Sequence, residues 1–481
     1  MILLFIITLP IIAFLASFLL KKSLRIFGLI AVVASLFELL ATLAVVMMVI
    51  KNGIYRFDSF LSLDALGAIL AMILAFVGTM VSWYSMSYLK IEMEKGIIGI
   101  SRVRQYFILL HLFILAMFFA IITTSPILMW IAIEATTLST AFLISFYNKP
   151  SAIEAAWKYL IVNSVGLLLG FFGTLLFLYP TVHTGFHGLI SWQTLLANTS
   201  SFDPFIAKVA FVFVLIGFGT KVGLVPMHTW LPDAHSKAPA PISSLLSGVL
   251  LNVAFLAVLR FKEVADLTIG KEFSGNLLIF FGLISIIVSA FIIFIQKNYK
   301  RLLAYSSIEH MGIITLGFGI GGAGAFAALL HMIYHSLAKS AMFLSAGNIF
   351  LKYGSTKIKN IKGMLAVLPI TVILFIIGFL TITGVPPFGI FITEFLILSA
   401  GIHIHPIAVI IALSALVLVF VGFLQHISSM VFGEGDTLIA KGENSLWTTV
   451  PIIILIVFLI LFSIFIPTDL QLLLHFATLN Y

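Results

Sequence analysis

The sequence predicts an all-α membrane protein with about fourteen transmembrane helices. Of its 481 residues, 62% are hydrophobic and 9% are charged, whereas a soluble globular chain carries about 25% charged residues. Apolar runs of roughly 18 residues or more, the length that crosses a hydrocarbon core of about 30 Å, recur from one end of the chain to the other. These observations exclude a soluble enzyme.

The predicted spans follow one another with short polar connections. The first apolar run lacks a preceding basic region and is followed by Lys21, Lys22 and Arg25, the reverse of a secretory signal, so we interpret it as a retained span. We place the fourteen spans at residues 2–20, 26–50, 61–82, 106–123, 127–147, 157–179, 204–234, 242–261, 276–296, 303–322, 325–350, 364–402, 406–426 and 447–467.

The basic residues predict the orientation. Loops after odd-numbered spans, counted with Lys158 at the adjoining span end, carry 18 Lys and Arg residues, and loops after even-numbered spans, counted with Arg260 at the adjoining span end, carry 5. Basic residues concentrate on the cytoplasmic side of membrane proteins. The asymmetry therefore predicts a plasma-membrane protein with both termini outside. Because the net charge of +8 comes from these loop clusters, we do not expect nucleic-acid binding.

Two spans are too long for one straight helix and are interrupted by glycine and proline. The seventh is broken at 223–226 and the twelfth at 384–387. If spans 4–8 and 9–13 form two units, the breaks occupy matching places, and an odd number of spans per unit inverts one unit relative to the other. The predicted organisation is therefore 1–105 (helices 1–3), 106–261 (first five-helix repeat), 262–426 (inverted second repeat) and 427–481 (helix 14).

Several chemistries are not expected in this chain. It contains no cysteine, so any iron–sulfur or other redox centre must belong to a partner. His331 and His335 have the i, i+4 spacing of a helical zinc site but lack the glutamate of the metalloprotease motif. No phosphate-binding loop and no serine triad context is present. We therefore predict no metal and no cofactor.

Ionisable residues inside apolar spans are costly, at about 2.5 to 3.5 kcal/mol each on insertion scales. Glu134 lies in the middle of the fifth span, and Lys221 lies directly before the first break. A structural carboxylate and a lysine that reaches the nearest loop are the alternative interpretations. We favour a functional pair, because a lysine alternately close to and distant from a glutamate would take up and release a proton.

The eleventh span carries three titratable residues on one face. His331, His335 and Lys339 recur at intervals of four, which aligns them along a helix and is typical of a relay. Glu394 follows the second break and is the expected counterpart of Lys221. Of the remaining groups, His228, Glu309 and His310 are secondary candidates for which a structural role is an equal alternative.

These residues resemble the antiporter-like family shared by complex I proton-pumping subunits, Mrp-type cation/proton antiporters and membrane-bound hydrogenases. The stretches GTKVGLVPMHTWLPDAH at 219–235 and KRLLAYSSIEHMG at 300–312 carry the resemblance most specifically. It covers about 107–432 and implies fourteen helices with inverted five-helix units. The family's functional glutamate, lysine and twelfth-helix carboxylate then fall on Glu134, Lys221 and Glu394.

One position departs from complex I relatives, which usually carry a lysine in the eighth span where this chain has Asn252. An amide does not titrate, so the central relay must run through His331, His335, Lys339 or water. Asparagine here, together with SSIEHM at 306–311, is more similar to the large antiporter-like subunit of formate-hydrogenlyase-type hydrogenases. The short stretch after the last span favours a hydrogenase or D-type Mrp relative over the distal complex I pump.

The resemblance implies a proton- or sodium/proton-translocating subunit of a respiratory complex and favours a membrane-bound hydrogenase. The expected partners are other membrane subunits, peripheral iron–sulfur and nickel–iron subunits, and lipid. A subunit of a stand-alone Mrp-type antiporter and a structural membrane anchor are the alternatives. The sequence does not identify the coupling ion.

Overall fold

The computed structural model describes residues 1–20, 23–183, 190–433 and 439–481. Lys21 and Lys22, used above for orientation, lie outside the described residues. The described chain is almost entirely helical, with one short hairpin of β1 (Tyr55–Arg56) and β2 (Ser62–Leu63). The first helices are α1 (Ile2–Leu19), α2 (Leu24–Asn52), α3 (Ala65–Glu94), α4 (Ile100–Ile122), α5 (Pro126–Ile144), α6 (Pro150–His183) and the short α7 (Trp192–Ala197).

The remaining helices contain both interruptions. The seventh predicted span is α8 (Pro204–Val222) followed by α9 (Trp230–Lys237), and the twelfth is α16 (Pro369–Ile382) followed by α17 (Gly389–Gly401). α10 (Ala240–Leu245) continues through a π-helical turn at Leu246–Leu250 into α11 (Leu251–Ile269). The other helices are α12 (Lys271–Phe294), α13 (Tyr299–Ile320), α14 (Ala323–Tyr353), α15 (Met364–Val367), α18 (Pro406–Val431), α19 (Leu446–Ile464) and α20 (Thr468–Thr478).

Every predicted span coincides with a helix or a broken helix, which confirms the predicted fold class. By length and composition, eleven helices in the described ranges could each cross a membrane. The other three predicted spans are the long but more polar α13 and α14, and the α16–α17 pair, whose halves are short and apolar. The boundaries of the two five-helix units remain a prediction.

Both predicted boundaries of the third span differ from the structure. The third helix begins at Ala65 rather than near residue 61, because the hairpin precedes it and the Asp64 side chain caps its first turn by accepting from the Gly67 amide at 2.9 Å. The helix then continues to Glu94, beyond the predicted end at 82. Its last turns are polar, but Tyr84 is buried and donates to Leu344 O of α14 at 2.9 Å. Protein contacts therefore extend this helix past the apolar stretch.

Both interruptions begin with a glycine in the left-handed region, Gly223 at φ 84° and Gly384 at φ 63°. That conformation ends a helix and suits glycine because it has no Cβ. Side chains then satisfy backbone groups near the breaks: Trp230 donates to Thr220 O at 2.8 Å, and the Val225 amide donates to Ser285 at 3.0 Å. In the twelfth span the Gly389 amide donates to Ser463 Oγ at 2.8 Å. The protein interior thus supplies the partners that lipid lacks.

The centre of the bundle is α14. Almost all its residues are buried, including polar ones, and it packs against α13, α16, α17 and α19. A helix that contacts protein on every side has no need of a uniformly apolar surface. This enclosure explains why α14 accommodates two histidines and a lysine within its span.

Candidate functional site

The first polar group lies where α5, α6 and α8 meet. Lys221 is completely buried in the last turn of α8, two residues before Gly223. Its Nζ donates to Thr137 Oγ1 at 2.8 Å and to the Tyr159 hydroxyl oxygen at 2.6 Å. The Tyr159 hydroxyl also lies 2.6 Å from Thr140 Oγ1. The ammonium group is therefore held by hydroxyl groups inside the bundle.

Glu134 belongs to the same group without touching Lys221. It lies halfway along α5, where Ser164 Oγ of α6 donates to Oε1 at 2.9 Å and Thr137 Oγ1 donates to Oε2 at 3.4 Å. Thr137 stands one helical turn after Glu134, so its hydroxyl reaches the carboxylate and also accepts from Lys221. The predicted pair is thus bridged by a single hydroxyl.

His228 and Asp233 lie beyond the break in the seventh span. His228 is in the short segment that precedes α9 and packs edge-on to Tyr305, with ring centroids 6.2 Å apart. Asp233 forms ion pairs with Arg301 of α13 and, at 3.7 Å, with Lys158 of α6. These ion pairs connect three helices at one end of the bundle, which favours a structural role for Asp233.

The second polar group lies between α13, α14 and α17. His310 Nδ1 is 3.1 Å from His331 Nε2, and His331 Nδ1 is 2.8 Å from Thr393 Oγ1. His335 stacks obliquely on His310 with ring centroids 5.4 Å apart. The structure therefore brings His310, a secondary candidate, between the two predicted histidines of α14.

Lys339 forms the other end of this group. It is fully buried, and its Nζ donates to Ser306 Oγ and, at 3.4 Å, to Leu303 O, both on α13. Glu309, one turn after Ser306 on α13, lies close enough to Lys339 to interact electrostatically. Lys339, like Lys221, is hydrogen-bonded to a hydroxyl, a partner compatible with either protonation state because it both donates and accepts.

Several polar atoms of this group lack hydrogen-bond partners within the described part of the chain. They are both carboxylate oxygens of Glu309, His310 Nε2 and both ring nitrogens of His335. Buried polar atoms are nearly always satisfied in native proteins, by protein, ordered water or an ion. These atoms therefore mark a place for water or an ion between α13 and α14.

Asn252 lies between the two groups, two residues after the π-helical turn. Its Nδ2 donates to Ser336 Oγ on α14 at 2.8 Å and to Gly248 O at 3.3 Å. Among the described residues, no hydrogen bond connects Lys221 directly to Asn252 or to Lys339. Direct hydrogen bonds between these three side chains therefore do not join the two polar groups in the described chain.

Glu394 and Lys221 occupy different places relative to their breaks. Lys221 is on the half-helix before Gly223, whereas Glu394 is on α17, after Gly384. The Glu394 carboxylate folds back against Gly384, where a Cβ would lie 2.2 Å from Oε2. The two charges therefore approach their breaks from opposite sides.

One set of described residues brings three possible metal ligands close together. Single ligand atoms of His310, His331 and Glu394 all lie within 4.8 Å of one another, and all three residues are buried. The sequence pattern drew attention to His331 and His335 on one helix. The converging set instead draws one residue from each of three helices.

The hydroxyl partners were not identified from the sequence. Thr137 contacts both Glu134 and Lys221, whereas Tyr159 contacts Lys221 and Ser164 contacts Glu134. Ser306 and Thr393 are hydrogen-bonded to Lys339 and His331, respectively. The signal that could have revealed Thr137 was its position three residues after Glu134, on the same face of the helix. Tyr159, Ser164 and Ser306 come from neighbouring helices, and no local spacing points to them.

A large cavity of the helical bundle lies apart from the two polar groups. It has a volume of about 800 Å³ and lies near the ends of α3, α4, α11 and α20, with the Asp64–Arg260 ion pair in its wall. Glu134, Lys221, Lys339 and Glu394 are not among its lining residues.

The fold and the buried groups define a polytopic helical membrane protein with interrupted helices and ionisable residues in its interior. The family described as NADH:quinone oxidoreductase/Mrp antiporter, transmembrane, matches residues 123–419, and the chain belongs to this family. It is an antiporter-like membrane subunit of the kind found in hydrogenase, complex I and Mrp complexes.

Individual relatives agree with this assignment. The chain is 38% identical over 385 residues to a hydrogenase-4 component F homolog of Methylacidiphilum infernorum, covering 79% of this chain and 81% of the relative. A chain of the membrane-bound sulfane sulfur reductase, an archaeal respiratory membrane complex, matches with a TM-score of 0.88 at 23% identity, covering 99% and 97%. A chain of the Mrp complex from Dietzia sp. matches with a TM-score of 0.83 at 18% identity, covering 99% and 96%.

Proposed function

We propose that this chain translocates protons as a subunit of a multi-subunit respiratory complex. The observation that carries the proposal is the Glu134–Thr137–Lys221 bridge, an acid and a base joined by one hydroxyl in the middle of the membrane span. A threonine hydroxyl passes a proton by accepting from one neighbour while donating to the other. Buried charges that served stability alone would gain more from direct contact.

The proposed route runs from the first polar group to the second. Protons pass between Glu134 and Lys221 through Thr137, whose hydroxyl accepts from Lys221 and donates to Glu134 and must turn to exchange these two roles when the proton moves towards Lys221. From Lys221 the route continues through water past Asn252 and Ser336 to Lys339. From Lys339 they continue through Glu309, His310, His331 and His335 to Glu394. Glu309 and His335, with their unpartnered polar atoms, are where water completes the route. His228 lies beside the first half of the proposed proton route.

A membrane-bound hydrogenase is the complex that the relatives favour. The 38% identity to a hydrogenase-4 component F homolog extends over most of both chains, whereas the likeness to the Mrp complex, at 18% identity, concerns the fold alone. Peripheral iron–sulfur and nickel–iron subunits would then supply the redox energy. Isolation of the native complex tests this: nickel–iron and iron–sulfur subunits support it, and exclusively Mrp-type neighbours support the stand-alone antiporter.

The surroundings of Glu134 support a neighbouring membrane subunit. Glu134 is half-buried, while Ile131 and Leu138 on α5 and Ile161 on α6 have 47%, 56% and 60% of their surface exposed. A carboxylate beside a lipid-facing surface is costly, so a partner helix covering this face would lower that cost. We place the complex in the plasma membrane, with both termini outside, from the distribution of basic residues.

Transport by reconstituted variants tests the proposal. Glu134→Gln and Lys221→Ala should each abolish proton translocation in proteoliposomes while the chain remains inserted and assembled. Glu38→Gln is a matched control, since Glu38 is a buried glutamate of α2 outside both polar groups, and it should transport normally. Near-normal transport by either test variant would refute the route. Full activity with all the buried charges of the route removed would leave only the anchor function.

A further inference from the structure

We infer that His310, His331 and Glu394 form a binding site for a divalent transition-metal ion, represented by Zn²⁺, and that occupancy of this site blocks translocation. The blocking role rests on the proposed function, whereas binding does not. The inference departs from the prediction of no metal because the three ligands come from three different helices, α13, α14 and α17.

The two imidazoles already have the spacing that zinc requires. His310 Nδ1 and His331 Nε2 face each other at 3.1 Å. Zinc–nitrogen bonds of about 2.0–2.1 Å in a tetrahedral site hold two ring nitrogens about 3.3–3.4 Å apart. A movement of a few tenths of an ångström would therefore replace the shared proton by a metal ion.

The outer nitrogen of His331 has the partner that ligating histidines usually have. Thr393 Oγ1 donates to Ile390 O at 2.9 Å, so its oxygen accepts from His331 Nδ1 at 2.8 Å. This arrangement places the proton on Nδ1 and leaves the Nε2 lone pair directed at His310. A hydrogen-bond partner on the ring nitrogen that does not bind the metal fixes the tautomer of a metal-bound histidine.

The outer nitrogen of His310 faces a carboxylate. His310 Nε2 lies 3.6 Å from Glu309 Oε2, and both atoms lack hydrogen-bond partners in the described ranges. When a metal ion binds Nδ1, the His310 proton moves to Nε2 and is directed at Glu309. The carboxylate–histidine–metal arrangement thus satisfies two atoms that the protein alone leaves unpaired.

The charge and the ligand types favour zinc over an alkali cation. Two imidazole nitrogens and one carboxylate are borderline ligands that suit Zn²⁺, whereas Na⁺ and Mg²⁺ prefer oxygen. Glu394 brings a negative charge to the ion as a ligand, and Glu309 behind His310, which also faces Lys339, contributes to the charge balance. His335, with its ring 5.4 Å from that of His310, lies beside this set without belonging to it, so water would complete the coordination.

A binding experiment with Zn²⁺ alone tests the site. The full chain, purified without a polyhistidine tag, washed with chelator and reconstituted in nanodiscs, is dialysed against Zn²⁺ with Na⁺ in excess, and zinc per chain is measured by elemental analysis. We expect one zinc per chain, bound through two imidazoles by X-ray absorption. His310→Gln and His331→Gln should each remove it. Absence of stoichiometric zinc would overturn the site.

The controls separate the site from a general effect of histidine or of folding. His111→Gln removes a buried histidine of α4 whose ring nitrogens are also unpartnered in the described chain, and it should bind zinc normally. Loss of zinc in this variant as well would overturn the assignment. Thr393→Val removes only the hydroxyl that orients His331, and should weaken binding about 10- to 100-fold. If a variant of a ligand residue fails to fold, Thr393→Val tests the zinc site in its place.

Transport measurements separate this inference from the proposed function. Zinc should inhibit proton translocation in proteoliposomes over the concentration range in which it binds. The Lys221→Ala chain should bind zinc as the native chain does, because Lys221 lies in the first polar group. Zinc binding without inhibition of proton translocation would overturn the blocking role but would not overturn the binding site. If none of the transport variants behaves as proposed, the number of zinc ions measured per chain would still stand. The proposed function would then fail and the zinc site would remain.

Discussion

Asn252 on α11 donates a hydrogen bond from Nδ2 to Ser336 Oγ on α14 at 2.8 Å. The family resemblance predicts that the amide stands where complex I relatives usually carry a lysine. Ser336 in turn donates to Met332 O within its own helix at 2.7 Å. The contact connects two buried helices between the polar groups. It therefore gives Asn252 a positioning role that needs no titration.

We expect Asn252→Leu to cause only a modest loss of transport. The variant removes one interhelical hydrogen bond, worth about 1 kcal/mol, and Ser336 keeps its bond to Met332. Proton transport in proteoliposomes should fall less than about threefold, with a small decrease in the melting temperature. Complete loss of transport would instead show that the amide holds the water that carries the protons.

The bridge between Glu134 and Lys221 is tested by replacing Thr137. Thr137→Val keeps the shape of the side chain but removes the hydroxyl that contacts both charged groups. Transport should fall at least tenfold, and stability should fall by about 1–3 kcal/mol because the buried lysine loses a partner. Thr137→Ser retains the hydroxyl and should preserve most of the transport rate. Equal rates for the two variants would contradict the bridge.

The second polar group is tested by removing its charges while keeping its volume. Lys339→Met retains an apolar stem of similar length, and the double variant His331→Gln with His335→Gln retains hydrogen bonding without titration. Both should lose transport severely, whereas the redox activity of the associated complex, assayed with artificial electron carriers, should survive. Wild-type transport by both variants would place the path outside α14, in water past Asn252.

The second break offers a matched pair of glycine substitutions. Gly384 and Gly354 have nearly the same positive φ, 63° and 64°, so alanine at either position should cost roughly 1–2 kcal/mol of backbone strain. At Gly384 the new Cβ would lie 2.2 Å from Glu394 Oε2, whereas at Gly354 nothing lies within 4 Å. Thermal melting should thus show similar losses of stability in the two variants.

Their transport rates should differ sharply. Gly384→Ala should reduce transport strongly, because the Glu394 carboxylate must move away from the break, and Gly354→Ala should transport nearly as well as the native chain. If the two variants transport equally, the position of Glu394 against Gly384 has no bearing on function.

The sequence predicted the helices well because hydropathy and length determine which segments cross a membrane. The breaks at Gly223 and Gly384 were predictable for the same reason: glycine and proline interrupted runs too long for one helix. Glu134, Lys221 and Lys339 stood out because charges are rare in apolar segments. The start of the third helix was misplaced, because the Asp64 cap and the preceding hairpin have no apolar signal.

Partners on other helices could not be predicted. Tyr159 and Ser306 are ordinary helical residues until folding places them beside Lys221 and Lys339. Similarly, nothing in the chain order shows that Glu394 turns back toward Gly384, or that His310 stands between His331 and His335. These relationships depend on helix packing, and a single sequence without an alignment does not record it.

The enclosure of α14 also has a consequence for the way the chain is made. During synthesis, helices enter the bilayer through lateral release from the translocon, and release depends on how well each one partitions into lipid. Neither α13 nor α14 is apolar enough to count among the eleven candidate spans, while the preceding α12 and the later α18 both are. We therefore expect the two polar helices to be retained until apolar neighbours shield them, so that this half of the protein is inserted as a group rather than one helix at a time.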